Sequence, residues 1–76
     1  MARTFKQGAL IYDAKAQRMD IRLDLDNYCG GLCCGQCLEV LFDDRWIPTR
    51  IEMADDWYLV DVPTRDLVGL RVRIPV

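Results

Sequence analysis

The sequence predicts an all-β fold, and two observations carry that prediction. Short runs of alternating apolar and polar residues dominate the chain, while no stretch of 11 or more residues sets apolar side chains at i, i+3, i+4 and i+7. Turn-forming Asp, Gly and Pro residues punctuate these runs, as they do in small antiparallel proteins.

The first strand is expected over Gly8–Asp13 and the second over Arg18–Leu23, with Ala14 to Gln17 closing a hairpin between them. In the second, Met19, Ile21 and Leu23 face one side while Asp20 and Arg22 face the other, because side chains alternate across a strand. A loop follows from Asp24 to about Gly35 and holds three of the four cysteines. The third strand is Cys37–Phe42, and Asp43-Asp44 then turns the chain, since Asp tolerates left-handed geometry. Arg45 to Met53 forms the fourth, with Ile47, Thr49, Ile51 and Met53 on one face and Trp46, Pro48, Arg50 and Glu52 on the other. Pro48 has no N–H to give a ladder, so this strand is expected at an edge or bulged there. Ala54 to Asp56 leads into a fifth strand, Trp57–Val62, and Pro63 to Asp66 into a loop or single helical turn. The last strand is Leu70–Ile74, with Leu70, Val72 and Ile74 inward and Arg71 and Arg73 outward. Five to six strands of this length suit a small antiparallel barrel or curled sheet, which limits exposed edges. An SH3-like barrel is the first choice and an OB-like barrel the second.

Seventy-six residues make a single small β domain over 1–76, with an ordered core of about 8–74. A hydrophobic content of 51% excludes disorder, which needs low hydrophobicity and high net charge. A chain this short buries only ~60% of its unfolded surface, so a metal, a disulfide or a homodimer interface is a natural supplement. The net charge of −2 is too weak for a duplex-DNA binder that works by bulk charge. No apolar run approaches the ~20 residues that span a bilayer, and the first eight residues lack the apolar core of a signal peptide. The expectation is a cytoplasmic protein with reduced thiols and no membrane partner.

Cys29, Cys33, Cys34 and Cys37 fall within nine residues. Cys34-Gly35-Gln36-Cys37 has the Cys-x-x-Cys spacing by which one tight knuckle supplies two thiolates to zinc. The second pair must come from Cys29 and Cys33 or from a second subunit, because the chain contains no His. A labile Cys34–Cys37 disulfide and four reduced thiols are the alternatives. Without His as a base no catalytic cysteine is expected. The paired carboxylates Asp43-Asp44 and Asp55-Asp56 are explained by turns, so the chain is expected not to be an enzyme.

The expected contact surface is Trp46, Arg50, Arg71 and Arg73, with eight Arg among the ten basic residues. Arg beside Trp is the composition of protein hot spots and of single-stranded nucleic-acid platforms. The bland alternative is that the Arg residues merely cover strands. Trp57 is expected in the core because an apolar run follows it, and Trp46 suits either core or surface.

Gly31-Leu32-Cys33-Cys34-Gly35-Gln36-Cys37-Leu38-Glu39-Val40, Trp46-Ile47-Pro48-Thr49-Arg50-Ile51-Glu52, Trp57-Tyr58-Leu59-Val60 and Gly69-Leu70-Arg71-Val72-Arg73-Ile74 together resemble a family of short bacterial proteins. These are domain-of-unknown-function proteins of Gram-positive bacteria, many carried near mobile elements. The likeness runs over about residues 8 to 74, and its Trp46–Glu52 segment is the most specific part. The resemblance implies no established activity. It also implies that Cys34 and Cys37 belong to the shared pattern, from which Cys29 and Cys33 depart. By analogy with other tiny proteins of mobile elements, it implies a non-catalytic inhibitor or adaptor. The resulting expectation is a non-enzymatic protein-interaction domain that acts on a host protein. The alternatives are a small barrel for single-stranded nucleic acid and a zinc-stabilised structural or dimerisation module.

Overall fold

A computed structural model describes residues 4–75. They form β1 (Phe5–Asp13), β2 (Arg18–Asp24), β3 (Asn27–Tyr28), β4 (Cys37–Phe42), β5 (Arg45–Met53), β6 (Trp57–Leu59) and β7 (Arg71–Pro75), with no helix among them. The strands make one antiparallel sheet in the order β3-β2-β1-β7-β4-β5-β6. The expected all-β, antiparallel architecture holds. The sheet has seven strands where five or six were expected, and it is not closed into a barrel, since β3 and β6 end it without meeting.

β4 and β5 have the expected limits, and their turn explains why. Asp43 and Asp44 take φ of 52° and 62°, so both occupy the left-handed region of a two-residue hairpin between paired Phe42 and Arg45. The Ala14–Gln17 connection is held by the Asp13 carboxylate, which accepts from the amides of Lys15 and Ala16 at 3.1 and 3.3 Å.

Other limits moved for reasons of pairing. β1 begins at Phe5 rather than Gly8 because Phe5, Lys6 and Gln7 face Pro75, Ile74 and Arg73 of β7. β1 therefore pairs with β7 in its first half and with β2 from Ala9 onward. Gly8 stands at that handover, where a Cβ would collide with the backbone carbonyl of Arg22, so only glycine fits. β6 stops at Leu59 instead of Val62: the Val62 amide bonds back to the Leu59 carbonyl at 3.2 Å, and Asp61 turns at φ 63°. The last strand is shifted by one residue, to Arg71–Pro75. β3 forms inside the expected Asp24–Gly35 loop, and Pro63–Asp66 makes no helical turn.

Pro48 lies in an interior strand, yet the reason for expecting an edge survives locally. The Arg50 carbonyl accepts from Val60 on the β6 side, so by the two-residue repeat Pro48 turns its missing N–H to that side as well. β6 pairs only Ile51–Met53 and does not reach Pro48.

The inner faces supply one core. Leu10, Ile21, Leu38, Val40, Ile51, Leu59 and Val72 are fully buried from the strands, with Leu32 and Leu67 packing in from loops. Each such side chain contributes about 1.5–3 kcal/mol by leaving water. Trp57 belongs to this core, as expected.

Candidate interaction face

Residues of alternate parity on β1, β7, β4 and β5 line the sheet face opposite the core. The register sets Arg73 beside Glu39, Phe5 beside Pro75 and Leu41 beside Trp46, so Phe5 is a diagonal neighbour of Arg73 on one side, while Trp46 reaches it from β5, across β4, on the other. The Arg73 guanidinium lies between two rings, with its carbon 4.0 Å from the Phe5 centroid and 4.3 Å from the Trp46 centroid. Its Nε and Nη2 both donate to Glu39 Oε1, at 2.9 and 2.7 Å. Both side chains are mostly covered, at 26% and 22% exposure, so this pair is better shielded from water than an ordinary surface ion pair.

The four residues expected to form a surface do share this face, and they are used differently. Trp46 and Arg73 touch each other, and Trp46 is half-buried. Arg50 stands apart from the stack, opposite Cys37, and donates from Nε to Glu52 Oε2 at 2.7 Å. That hydrogen bond raises the Arg50 pKa further above its ordinary value and keeps the group cationic. Arg71 is exposed, pairs with Ala9 across β1, and has no ion-pair partner among the described residues. Phe5 and Glu39 complete the stack and were missed from sequence. The Phe5-x-Gln7-x-Ala9 alternation could have exposed the first, whereas the second depends on the β4–β7 register.

The cysteine loop is a second feature, and its anchors were also unforeseen. Asp20 is buried, and its Oδ1 accepts from the amides of Ile21, Gly30 and Gly31 at 2.7, 3.1 and 2.9 Å. Arg18 Nη2 donates to the Gly30 carbonyl at 2.9 Å, and its guanidinium fills the space a Cβ on Gly31 would need. Cys29 donates to the Ile21 carbonyl and Leu32 to that of Met19, so Gly30-Gly31 is a bulge whose spare amides end on Asp20.

The four thiols are all free. Cys29 packs against the core, where burial first and the nearby Asp20 second push its pKa up against a smaller lowering by Lys6. Cys33, Cys34 and Cys37 are exposed. Among the described residues no three Cys, Asp or Glu side chains gather into a group that could hold a metal ion. A separate open groove of about 310 Å³ lies between Tyr12, Met19, Trp57 and Leu67, and neither Trp46 nor Arg73 lines it. No helix among the described residues is long and apolar enough to cross a membrane.

No curated protein matches the chain significantly. Among solved structures, the crystal structure of a protein from Ruminococcus gnavus is similar, with a TM-score of 0.84 and 53% sequence identity over 90% of this chain and 99% of that one. A likeness at this identity and coverage extends to the whole domain. The model of a domain of unknown function, DUF5348, matches residues 8–74, and this chain belongs to that family.

Proposed function

We propose that the chain is a non-enzymatic protein-interaction domain that uses the outer face of its sheet. In this reading it is an inhibitor or accessory factor of a phage or mobile element and acts on a host protein in the cytoplasm. The observation that supports the interaction is the Phe5–Arg73–Trp46 stack, a half-covered aromatic platform whose cation is already oriented by Glu39. Side chains held in place before binding lose little freedom on association, and Trp and Arg are both enriched at the energetic centres of protein interfaces. The mobile-element setting rests on the resemblance carried by the Trp46–Glu52 segment.

Local charge favours a protein over a nucleic acid. Glu39 neutralises Arg73 and Glu52 neutralises Arg50, which leaves Arg71 as the only one of the three Arg residues named for this face without an ion-pair partner among the described residues. A phosphate backbone is held by many uncompensated cations and is released steeply by salt.

The test is capture from lysate of the native host on the immobilised chain, with and without nuclease, beside a variant carrying Trp46→Ala and Arg71→Glu. A protein retained near stoichiometry after nuclease and lost with the variant supports the reading. Retention by the variant refutes the assigned face, and recovery that vanishes with nuclease refutes the protein partner.

A further inference from the structure

The groove of about 310 Å³ lies on the core side of the sheet and has no role in the interaction face. Its floor is Met19, Trp57 and Leu67, all buried core residues. Three distant segments build it. The β1–β2 hairpin supplies Tyr12 and Met19, the start of β6 supplies Asp56 and Trp57, and the loop before β7 supplies Arg65 to Val68. Backbone contacts hold these segments in place. The Gly69 amide donates to the Leu10 carbonyl at 2.8 Å and the Leu10 amide to the Leu70 carbonyl at 2.9 Å, which ties the loop to β1. Asp56 Oδ1 accepts from the Trp57 amide at 2.8 Å, which fixes the entry to β6.

The rim combines open apolar surface with unspent negative charge. Tyr12 and Val68 are 48% and 61% exposed, two of the five large apolar side chains left in water among the described residues. Apolar surface left open around a concavity with a few polar groups is the usual form of a ligand site. Asp56 and Asp66 border the groove, and neither carboxylate has an ion-pair partner among the described residues. Arg65 borders it too, but its charge is spent elsewhere. Its guanidinium carbon stands 5.0 Å from the centroid of Tyr58, a ring that does not line the groove and alternates to the opposite face from Trp57.

We propose that this groove binds a small organic amine, with its apolar body on Met19, Trp57 and Leu67 and its ammonium beside Asp56 and Asp66. This site is independent of the protein-interaction reading, since none of its residues lies in the Phe5–Arg73–Trp46 stack. The volume is at the small end of ligand pockets, so it takes a single ring with a short side chain and nothing much larger. Trp57 and Tyr12 offer aromatic surface to such a ring and to the cation it carries. Charge then selects among ligands of that size. A carboxylate would meet two carboxylates, and a neutral ligand would leave both without a partner, whereas an ammonium answers the apolar floor and the acidic rim together.

The experiment titrates the full-length chain with phenethylamine, and in parallel with phenylacetate and benzyl alcohol, while nuclear magnetic resonance follows backbone amides and the two indole N–H signals. The expected result is a saturable shift of the Trp57 indole and of the Leu67 and Val68 amides with phenethylamine, no response to phenylacetate, and an unmoved Trp46 indole. Asp56→Asn and Asp66→Asn each weaken binding by up to about fivefold, as expected for partly exposed charge contacts. Val68→Lys, at an exposed loop position, places a cation of the chain's own at the rim and abolishes the shift. Equal binding of phenylacetate or benzyl alcohol overturns the charge assignment, and unchanged affinity in both Asn variants does the same. Absence of a saturable shift, or shifts centred on Trp46, overturns the site. Circular dichroism of each variant separates a lost site from a lost fold.

Discussion

Two carboxylates on the same face of the sheet do opposite work. Asp20 on β2 is buried and gives one oxygen to three backbone amides, so it serves the chain's own loop. Glu39 on β4 is part-exposed and gives one oxygen to Arg73, whose guanidinium is left presented between two rings. The difference lies in what crosses over them. The Gly30-Gly31 bulge folds onto Asp20, while among the described residues no backbone amide donates to Glu39. A charged residue on the polar side of a strand is therefore structural or presenting according to the path of a distant segment, and strand alternation does not distinguish the two.

The largest expected effect falls on the covered side. Asp20→Ala removes the acceptor of two bulge amides and leaves them poorly satisfied, which costs about 3 kcal/mol. A domain of this size loses ~4–8 °C of Tm per kcal/mol, so thermal melting reads the change easily. Asp20→Asn keeps a carbonyl oxygen there and recovers part of the loss. Equal melting of Asp20→Ala and the parent chain would erase the contrast with Glu39. Next in size is Gly31→Ala, because Gly31 sits at φ 106° and the new methyl would displace the Arg18 guanidinium. The expected loss is about 1–2 kcal/mol, with faster amide exchange at Leu32 as its local signature.

These two positions also mark the limit of what the sequence discloses. Alternation placed the strands and correctly assigned Trp46, Arg50, Arg71 and Arg73 to one face, because period-2 patterning is a local property. The Asp43-Asp44 turn was legible for the same reason. Asp20 was legible as a face but not as buried, because its partners lie ten and eleven residues away in an irregular loop. A barrel or curled sheet was expected from strand count and length, but whether the end strands meet depends on pairing between distant segments, and here they do not. Phe5 was lost because the alternation was started at Gly8, and Glu39 because pairing it with Arg73 spans 34 residues.

Effects on the open side are smaller in stability and larger in binding. Arg73→Ala removes the stacking cation and its hydrogen bonds to Glu39, with an expected loss of about 1 kcal/mol. Trp46→Ala costs a similar amount, and both should abolish partner capture that Asp20→Asn retains. Melting losses equal to that of Asp20→Ala would instead make the stack a structural element.

Cys29 gives a third grade of coverage, read through pH. Its pKa is raised on folding, so the folded chain keeps the neutral thiol while the unfolded chain ionises near the ordinary value of 9.0. The sign follows: this contribution is fully present below that value and is lost as pH rises through the higher folded value. Tm should therefore fall more steeply above pH ~9 in the parent chain than in Cys29→Ser. Iodoacetamide with mass spectrometry at neutral pH should label Cys33, Cys34 and Cys37 before Cys29. Labelling at one uniform rate would contradict both its packing and its raised pKa.

The smallest effect is expected at the second Arg–Glu pair. Arg50 and Glu52 repeat the chemistry of Arg73 and Glu39 at the same 2.7 Å, yet Arg50 is 54% exposed and no ring among the described residues stacks on its guanidinium. Water screens its charge, and holding two long side chains in one geometry costs conformational freedom that offsets the contact. Glu52→Gln should leave the melting midpoint unchanged within error, whereas Glu39→Gln lowers it measurably, because the half-covered Arg73 then loses its counter-charge. Equal responses in the two variants would mean that coverage by Phe5 and Trp46 does not distinguish the pairs. A loss confined to Glu39→Gln would show that the rings, rather than the ion-pair distance, set what an Arg contributes on this sheet.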